Sequence, residues 1–477
     1  MAMYELLIKN GWLVDPVGGR NGRYDLAIER GRVAAVGTDI NPDNAGQTYD
    51  AEGALVLPGL IDTHVHLSPA SQAVGFHMLA RAGVTTCLDC AGPVEEIIKG
   101  MAAYGCGLNV AVLNQLTPEG TLSGPDATRE EVTAYVEKSL ENGAYGIKLL
   151  GGHHPLSPET TAAAVETAHD FGCYAAFHCG TTKNGSDLNG MLEAIALAGS
   201  NPLHICHVNA YCRGLTHGSP IEETRIALQA LAEHPHLVSE SHMGPYNACW
   251  ARLNGEGKPR SHVVRTWLRV KGYGENAEGL LDAARDGYMR VQKEYPSEVV
   301  YLEPAEGVAH LKQVHFQAHI SFPVNRRSTA FLCAGEKDEQ DRFFVTALRT
   351  DGGGIPRNFL LSHGLSLVKF NALTLSEFVH KTAVAPARML GLPRKGHLTE
   401  GADADVVVVD PERQRALATI AEGKIIMMEG LIMGSGGKLI TTDRGANHLE
   451  GQGISVLKAD LPGSLFCNAS QLLGVNS

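Results

Sequence analysis

The chain has 477 residues, of which 44% are hydrophobic and 19% are charged. This balance is typical of a globular protein and excludes a disordered or fibrous chain. At about 100–200 residues per domain, the length indicates two or three domains, or one barrel with an appendage. The net charge is −12. Because a surface with that excess repels phosphate backbones, we expect no nucleic-acid partner.

The sequence also indicates where the protein works. No apolar run reaches the roughly 20 residues that a membrane span needs, so we expect no membrane contact. The opening segment has no basic stretch followed by an apolar one, and we expect no signal peptide. The ten cysteines show no disulfide spacing. We therefore expect reduced thiols in a cytoplasmic protein.

Short strands open the chain. The runs 4–15 and 24–37 carry alternating apolar residues, interrupted by Asn-Gly and Arg-Gly, which is a hairpin signal. The run 403–410 and the segments after it resume this pattern. We expect a small composite β-sandwich domain built from both chain ends, residues 1–55 and 393–477.

Between these ends, over residues 56–392, apolar runs alternate with helical segments. The predicted strands cover residues 56–66, 84–90, 108–114, 145–150, 173–178, 202–208, 236–242 and 343–351. The segments 128–143 and 157–172 have acidic starts and periodic apolar faces, as helices do. Eight strands separated by helices predict an α/β fold, a parallel (β/α)8 TIM-like barrel.

One connection of this barrel is unusually long. The gap of residues 243–342 exceeds what a single crossover needs. We interpret it as an insertion over one barrel loop, with a predicted helix over residues 277–295.

Side chains that can bind metal end five of the predicted strands, where the active site of a barrel lies. They are His64 and His66 on the first strand, Lys148 on the fourth, His178 on the fifth, His207 on the sixth and Asp351 on the eighth. Side chains two apart on a strand point the same way, so His64 and His66 can bind one metal. His204 lies three residues before His207, is expected to face the other way and is interpreted as structural. Taken jointly, the six residues predict a metal site.

Two of the six have further chemistry. The neighbours of Lys148 are apolar, so burial is expected to lower its pKa and make the amine nucleophilic. A neutral amine can add carbon dioxide and form a carbamate that bridges two cations. A carboxylate such as Asp351 can bind metal and take a proton from a metal-bound water.

These residues together resemble the amidohydrolase superfamily. The resemblance rests on PGLIDTHVH, on the lysine and histidines at strand ends, on TDGGG, and on LTEGADADVVVVD, which is similar to the return into a β-sandwich. It covers nearly the whole chain and implies a barrel enzyme with two divalent metal ions, commonly zinc. The implied roles are metal binding by His64, His66 and Asp351 at the buried metal, bridging by N6-carboxylated Lys148, and metal binding by His178 and His207 at the exposed metal. Relatives are often dimers or tetramers, so we expect a homo-oligomer.

Within the superfamily, the bridging lysine favours the branch that contains dihydropyrimidinase, hydantoinase, dihydroorotase and allantoinase. This resemblance implies a small-molecule substrate and hydrolysis of a C–N bond, other than an ordinary peptide bond, in a cyclic amide, imide or ureide. A metal-bridging hydroxide would attack, with Asp351 as general base and then general acid. The long insertion and the Asp-Gly-Gly run instead resemble D-aminoacylases, which act on linear N-acyl amino acids. An isoaspartyl dipeptidase-like activity lies between the two.

Other possibilities remain at single positions. GVTTCLDCAG is similar to a strand in which a cysteine binds metal, so Cys90 is an alternative ligand in place of, or beside, Lys148. A non-catalytic assembly role is disfavoured because every ligand position holds a competent residue. A deaminase is disfavoured because residues 178–181 lack the glutamate of a His-x-x-Glu pattern. Loop residues after the strands are candidates for substrate contact: His153, Asn209, Arg213, Tyr246 and Arg357.

Overall fold

The computed structural model of the chain describes residues 3–67 and 72–472. Its central sheet has eight parallel strands in chain order, Leu60–His66, Val84–Asp89, Cys106–Leu116, Gly146–Leu150, Tyr174–His178, His204–Ile205, Val238–His242 and Ala347–Arg349. Gly352–Gly353 follows the eighth strand and pairs in parallel with the first, which closes the sheet on itself. The predicted (β/α)8 barrel is confirmed.

Helices connect the barrel strands. Their bounds are Gln72–Arg81, Val94–Tyr104, Arg129–Glu141, Pro158–Asp170, Leu188–Ala198, Pro220–Glu233, Leu360–Lys369, Leu375–Val379 and Ala385–Met389, with a π-helical turn at His380–Val384 before the last. Thr128 and Ser157 begin two of them as N-caps, since each side chain accepts a hydrogen bond from the backbone N–H three residues on. The helices predicted over 128–143 and 157–172 are therefore confirmed. No helix of the described residues is long and apolar enough to cross a bilayer.

Alternation along the strands decides which side chains face the barrel interior. On the fourth strand, Ile147 and Leu149 are buried in the apolar layer between the sheet and its helices. Burying such a side chain stabilises the fold by about 1.5–3 kcal/mol. Lys148 lies between them and therefore points the opposite way, into the barrel.

A nine-stranded sheet draws on both chain ends. The N-terminal part supplies Tyr4–Asp15, Arg20–Glu29, Arg32–Gly37, Ala45–Asp50 and Leu55–Pro58, and the C-terminal part supplies Val406–Asp410, Arg415–Ala421, Lys424–Met428 and Leu431–Ile432. Leu55–Pro58 and Val406–Asp410 pair antiparallel and join the two parts. The composite β-rich domain is thus confirmed. The single strand predicted over 56–66 is split at Gly59, with one piece in each sheet.

The last part of the chain returns to the barrel. Gly436–Thr441 pairs in parallel with the third barrel strand and with Val456–Lys458. Helices Asp443–Gly451 and Leu465–Leu472 accompany these strands. Residues 393–472 therefore contribute to both sheets. The domain limits at residues 55 and 392 stay a prediction.

The insertion after the seventh strand has its own small sheet and apolar core. Its strands are Cys249–Trp250, Arg290–Glu294, Val299–Tyr301 and His319–Ser321, and its helices are His262–Val270, Ala277–Arg285, Pro304–Gln313 and Arg327–Gly335. The helix predicted over 277–295 is wrong in its second half. Gly287 has a φ of +71°, a left-handed conformation that ends the helical run, and the chain then enters the strand Arg290–Glu294.

Candidate metal centre

The two histidines of the first strand and the aspartate after the eighth lie together at one mouth of the barrel. His66 Nε2 is 2.7 Å from Asp351 Oδ1, and His64 Nε2 is 3.5 Å from the same oxygen. One ligand atom from each of these three residues lies within 4.8 Å of the others. This spacing suits two imidazoles and a carboxylate around one cation.

Backbone pairing holds Asp351 beside these histidines. Its N–H donates to the His64 carbonyl over 3.0 Å, and its φ of +59° turns the chain there. Gly353 then lies so close to the first strand that a Cβ would be 2.8 Å from the His66 carbonyl oxygen, and its own φ is +76°. Only glycine fits this turn, which explains part of the TDGGG run.

His178 and His207 form the other side of the site. Their ring centroids are 4.2 Å apart, and the His207 ring centroid is 5.6 Å from that of His64. His207 has a φ of +40°, an uncommon conformation for a non-glycine residue, and Val208–Ala210 form a short 3-10 turn directly after it. Its Nδ1 is buried and has no hydrogen-bond partner among the described residues. Such an orphaned nitrogen is available to a ligand from outside the chain.

Lys148 is fully buried between the two halves of the site. Its Nζ is 3.4 Å from His64 Nε2 and 2.7 Å from Cys206 Sγ. The expectation of a lowered pKa is wrong. Burial alone would lower the pKa of Lys148. Its interactions with Cys206, Cys90 and the Glu240 carboxylate outweigh burial, so that the pKa lies above its ordinary value. Sequence neighbours alone could not reveal these partners.

We call His64, His66, Lys148, His178, His207 and Asp351 the mouth cluster. Burial lowers the pKa of the His64, His178 and His207 imidazoles well below their ordinary value, and lowers that of His66 to about 3. The imidazoles are therefore neutral near pH 7, the form that binds metal. With the orphaned nitrogen and the carboxylate, the mouth cluster fits divalent cations.

The family model described as "Amidohydrolase family" matches residues 55–234 and 328–429, more than half of the chain. The chain belongs to the amidohydrolase family. A dihydroorotase of Pelotomaculum thermopropionicum is 30% identical over 424 residues, which are 86% of this chain and 89% of that protein. This amidohydrolase is therefore a hydrolase that acts on carbon–nitrogen bonds.

Solved structures of a deacylase and of an aminoacylase are among those that share its fold. An N-acyl-D-glutamate deacylase from Bordetella bronchiseptica, in complex with zinc and a phosphonate inhibitor, has a TM-score of 0.66 at 16% identity and covers 91% of this chain and 99% of its own. A D-aminoacylase with a binuclear metal centre has a TM-score of 0.63 at 16% identity, with the same coverage of 91% and 99%. At this identity the likeness concerns the fold.

Arginines surround Asp351 in this amidohydrolase. Arg357 is buried, and its guanidinium places Nη2 at 2.6 Å from Asp351 Oδ2 and Nη1 at 2.6 Å from the Tyr246 carbonyl oxygen. Buried Arg349 places Nη1 at 3.3 Å from the same Oδ2. Both cations hold one side of the carboxylate and leave Oδ1 toward the histidines. Arg357, predicted as a substrate contact, thus spends its donors on Asp351 and on the backbone at Tyr246.

The other candidates for substrate contact differ in their surroundings. Asn209 is buried and bonds through both ends of its amide to the backbone of His242, at 2.9 and 3.1 Å. The Tyr246 ring lies 5.3 Å from that of Tyr301, in the insertion. The structure brings His153 to the mouth cluster, with its ring centroid 5.4 Å from that of His178.

Arg213 and Cys90 differ in what they offer. Arg213 makes only long hydrogen bonds of 3.4 Å to Ser186 and Asn325, and its buried Nε has no partner among the described residues. Cys90 is buried, with its Sγ 3.9 Å from the Leu88 carbonyl oxygen. The groupings of metal-competent side chains found in the described residues contain Cys206 and do not contain Cys90.

Sequence reasoning missed the polar side chains beneath the mouth cluster, above all Glu240 and Arg349, which are both fully buried. The only local signal is a charged residue at an inward position of a predicted strand. Glu240 lies two residues before His242 in the seventh strand, and Arg349 lies two residues before Asp351.

Proposed function

We propose that this amidohydrolase cleaves the C–N bond of a cyclic amide, imide or ureide at a centre of two divalent metal ions, which we expect to be zinc. The observation that carries the proposal is the convergence of the mouth cluster, with neutral buried imidazoles around one carboxylate. His64, His66 and Asp351 would hold one cation, and His178 and His207 the other.

Lys148 would bridge the two cations once its amine, in the neutral form, has added carbon dioxide and released a proton. Its Nζ points into the mouth cluster beside His64, and it makes no ion pair with a carboxylate in the described part of the chain. A carboxylated amine supplies anionic oxygens at a point where the side chain alone offers none. We therefore propose N6-carboxylated Lys148 as the bridging group.

When bound, the cations supply acidification of a water molecule and polarisation of the scissile carbonyl. Asp351 takes the proton of the attacking water and delivers it to the leaving nitrogen, because an amide anion is a poor leaving group. Arg357 and Arg349 keep the carboxylate in place for both transfers by binding Oδ2. The proton would be taken up at Oδ1, the oxygen that lies 2.7 Å from His66 Nε2 and 3.5 Å from His64 Nε2.

A cyclic substrate is supported by the dihydroorotase match, which extends over 86% of this chain. The second candidate is hydrolysis of a linear N-acyl amino acid or an isoaspartyl dipeptide. Arg213 favours it, because a half-buried guanidinium whose Nε has no hydrogen-bond partner in the described part of the chain suits a substrate carboxylate. We also propose that the enzyme works in the cytoplasm as a homo-oligomer, and the absence of a disulfide among its ten cysteines, nine of them buried, is consistent with a reducing compartment.

Metal analysis followed by a substrate panel tests the proposal. We expect about two divalent ions per chain, and turnover of five- or six-membered cyclic ureides or imides that is lost on chelation and restored by zinc. The panel also contains N-acyl amino acids, with Asp351→Asn as the inactive control. Turnover of linear amides alone would select the second candidate. Activity that survives complete removal of metal would contradict both.

A further inference from the structure

Glu240 lies on the seventh barrel strand, directly under the mouth cluster, and is completely buried. Its Oε1 is 2.6 Å from His64 Nδ1 and 3.1 Å from Arg349 Nε, while its Oε2 is 2.8 Å from Thr63 Oγ1 and 3.2 Å from His204 Nε2. Burying a carboxylate without partners is strongly unfavourable. Here four side chains from three other strands surround it, so the site is built around this one acid.

The contact to His64 has a direct consequence for that imidazole. When Glu240 is ionised, its oxygens only accept hydrogen bonds, and the 2.6 Å contact then places the proton on His64 Nδ1. A neutral imidazole with a proton on Nδ1 presents a bare lone pair at Nε2. That nitrogen is the one that faces Asp351 Oδ1 and Lys148 Nζ within the mouth cluster.

Arg349 extends the same arrangement to the other side of the site. Its Nε lies against Glu240 and its Nη1 lies 3.3 Å from Asp351 Oδ2. One rigid guanidinium therefore joins the acid under His64 to the carboxylate beside His66.

We propose that Glu240 is a positioning residue of the metal centre: it fixes the tautomer and the ring orientation of His64, so that Nε2 is presented to a divalent cation. This inference rests on the proposed metal centre. Mutation of the hydrogen-bond partner of a metal-binding histidine typically lowers metal affinity by about 10–100-fold. Glu240 acts through His64 and Arg349 and has no contact with the substrate in this role.

Zinc affinity of the intact protein, measured by chelator competition, tests the inference. Glu240→Gln is expected to weaken zinc binding by about 10–100-fold. The matched control is Glu223→Gln, a fully buried glutamate that accepts hydrogen bonds from the backbone of Gly214, Thr216 and His217. The control should leave zinc affinity unchanged. His64→Gln serves as the reference for loss of a ligand.

The outcomes separate this inference from the proposed function. If His64→Gln weakens zinc binding and Glu240→Gln does not, the role of Glu240 is overturned and the metal centre stands. If neither changes zinc affinity, the metal centre itself is wrong and the inference fails with it. A weakening by Glu240→Gln equal to that of Glu223→Gln would show a general effect of a lost buried charge and would also overturn the role.

A second measurement needs no altered Glu240 and so does not depend on the folding of a variant. Nitrogen-15 NMR of histidine-labelled, metal-free enzyme reports which ring nitrogen carries the proton, with His64 assigned by its loss in His64→Gln. We expect the proton on Nδ1. A proton found on Nε2 would overturn the inference.

Discussion

Two fully buried lysines of this amidohydrolase have opposite surroundings. Lys395 Nζ lies 2.7 Å from Asp405, 3.3 Å from Asp403 and 3.9 Å from Glu422, beside the composite sheet. Lys148 Nζ, in the barrel, contacts the Cys206 thiol and the His64 imidazole and makes no ion pair with a carboxylate of the described residues.

The difference separates a closed polar cluster from an open one. The carboxylates around Lys395 neutralise its charge inside the protein, and despite burial they raise its pKa. Among the described residues, the mouth cluster around Lys148 instead contains a His207 ring nitrogen without a hydrogen-bond partner and an ammonium group without a carboxylate at ion-pair distance. A cluster that is not satisfied within the chain is one that an external ligand completes.

Asp351→Asn should produce the largest effect, and it concerns the open cluster. The amide cannot accept the proton of the attacking water, so we expect turnover to fall by about 10²–10⁴-fold. Steady-state kinetics checks this together with metal analysis, because substantial metal should remain. A variant with near-normal turnover would remove Asp351 from the chemistry.

Lys148→Ala tests whether the open cluster depends on its lysine. We expect loss of metal occupancy, because the bridging group is gone. Short carboxylic acids should restore part of the metal content and activity by replacing the carbamate. Plasma emission spectroscopy of the purified variant measures the metal. Unchanged content would contradict a bridging lysine and turn attention to Cys90.

Lys395→Met tests the closed cluster and should affect stability without affecting metal. Removing the cation leaves Asp403 and Asp405 buried beside each other, which we expect to cost about 3–5 kcal/mol of unfolding free energy. Denaturant titration measures the loss. The double variant Lys395→Met with Asp405→Asn should recover part of it, and metal content serves as the control. Loss of metal here would break the distinction between the two clusters.

Lys381 is a third buried lysine and gives the smallest expected effect. Its Nζ donates to the Ala334 carbonyl over 2.7 Å, and burial lowers its pKa to about 7. In the unfolded chain a lysine keeps its proton up to about pH 10. The unfolded state therefore binds more protons between about pH 7 and pH 10, so this group makes stability rise with pH across that window.

Lys381→Met should remove that rise. We expect the variant to gain a few degrees of melting temperature relative to the wild type at pH 7, and the advantage to shrink toward pH 10. Thermal unfolding of both proteins at matched pH values checks this. An advantage that stays constant with pH would contradict the titration and leave only a packing effect.

The sequence predicted the barrel and its mouth cluster for a physical reason. Strand periodicity sets which side chains face inward, and the barrel rule sets which strand ends meet. Local pattern and topology together therefore predict that His64, His66 and Asp351 lie close together. In the structure their ligand atoms lie within 4.8 Å of one another. Their role as ligands stays a prediction, as do the roles of the other members of the mouth cluster.

What the sequence could not show depends on contacts across the barrel. Burial would lower the pKa of Lys148, but Cys206, 58 residues away, Cys90 and Glu240 on the seventh strand raise it above its ordinary value. Glu240 itself reads as one acid in a short strand, and only the closed sheet reveals its partners on the first, sixth and eighth strands. Within the insertion, the predicted helix was too long for a local reason. The apolar spacing continues to residue 295, but the left-handed Gly287 ends the helix.

The join between Gly352–Gly353 and the first strand has a consequence for how this enzyme can change over time. The backbone hydrogen bonds that close the barrel also set the distance of Asp351 from His64 and His66. A mutation that weakens this strand pairing would therefore destabilise the barrel and at the same time displace Asp351 from the two histidines. We therefore expect substrate preference to diverge through mutations in the insertion after the seventh strand, which can change sequence while the pairing of Gly352–Gly353 with the first strand is kept.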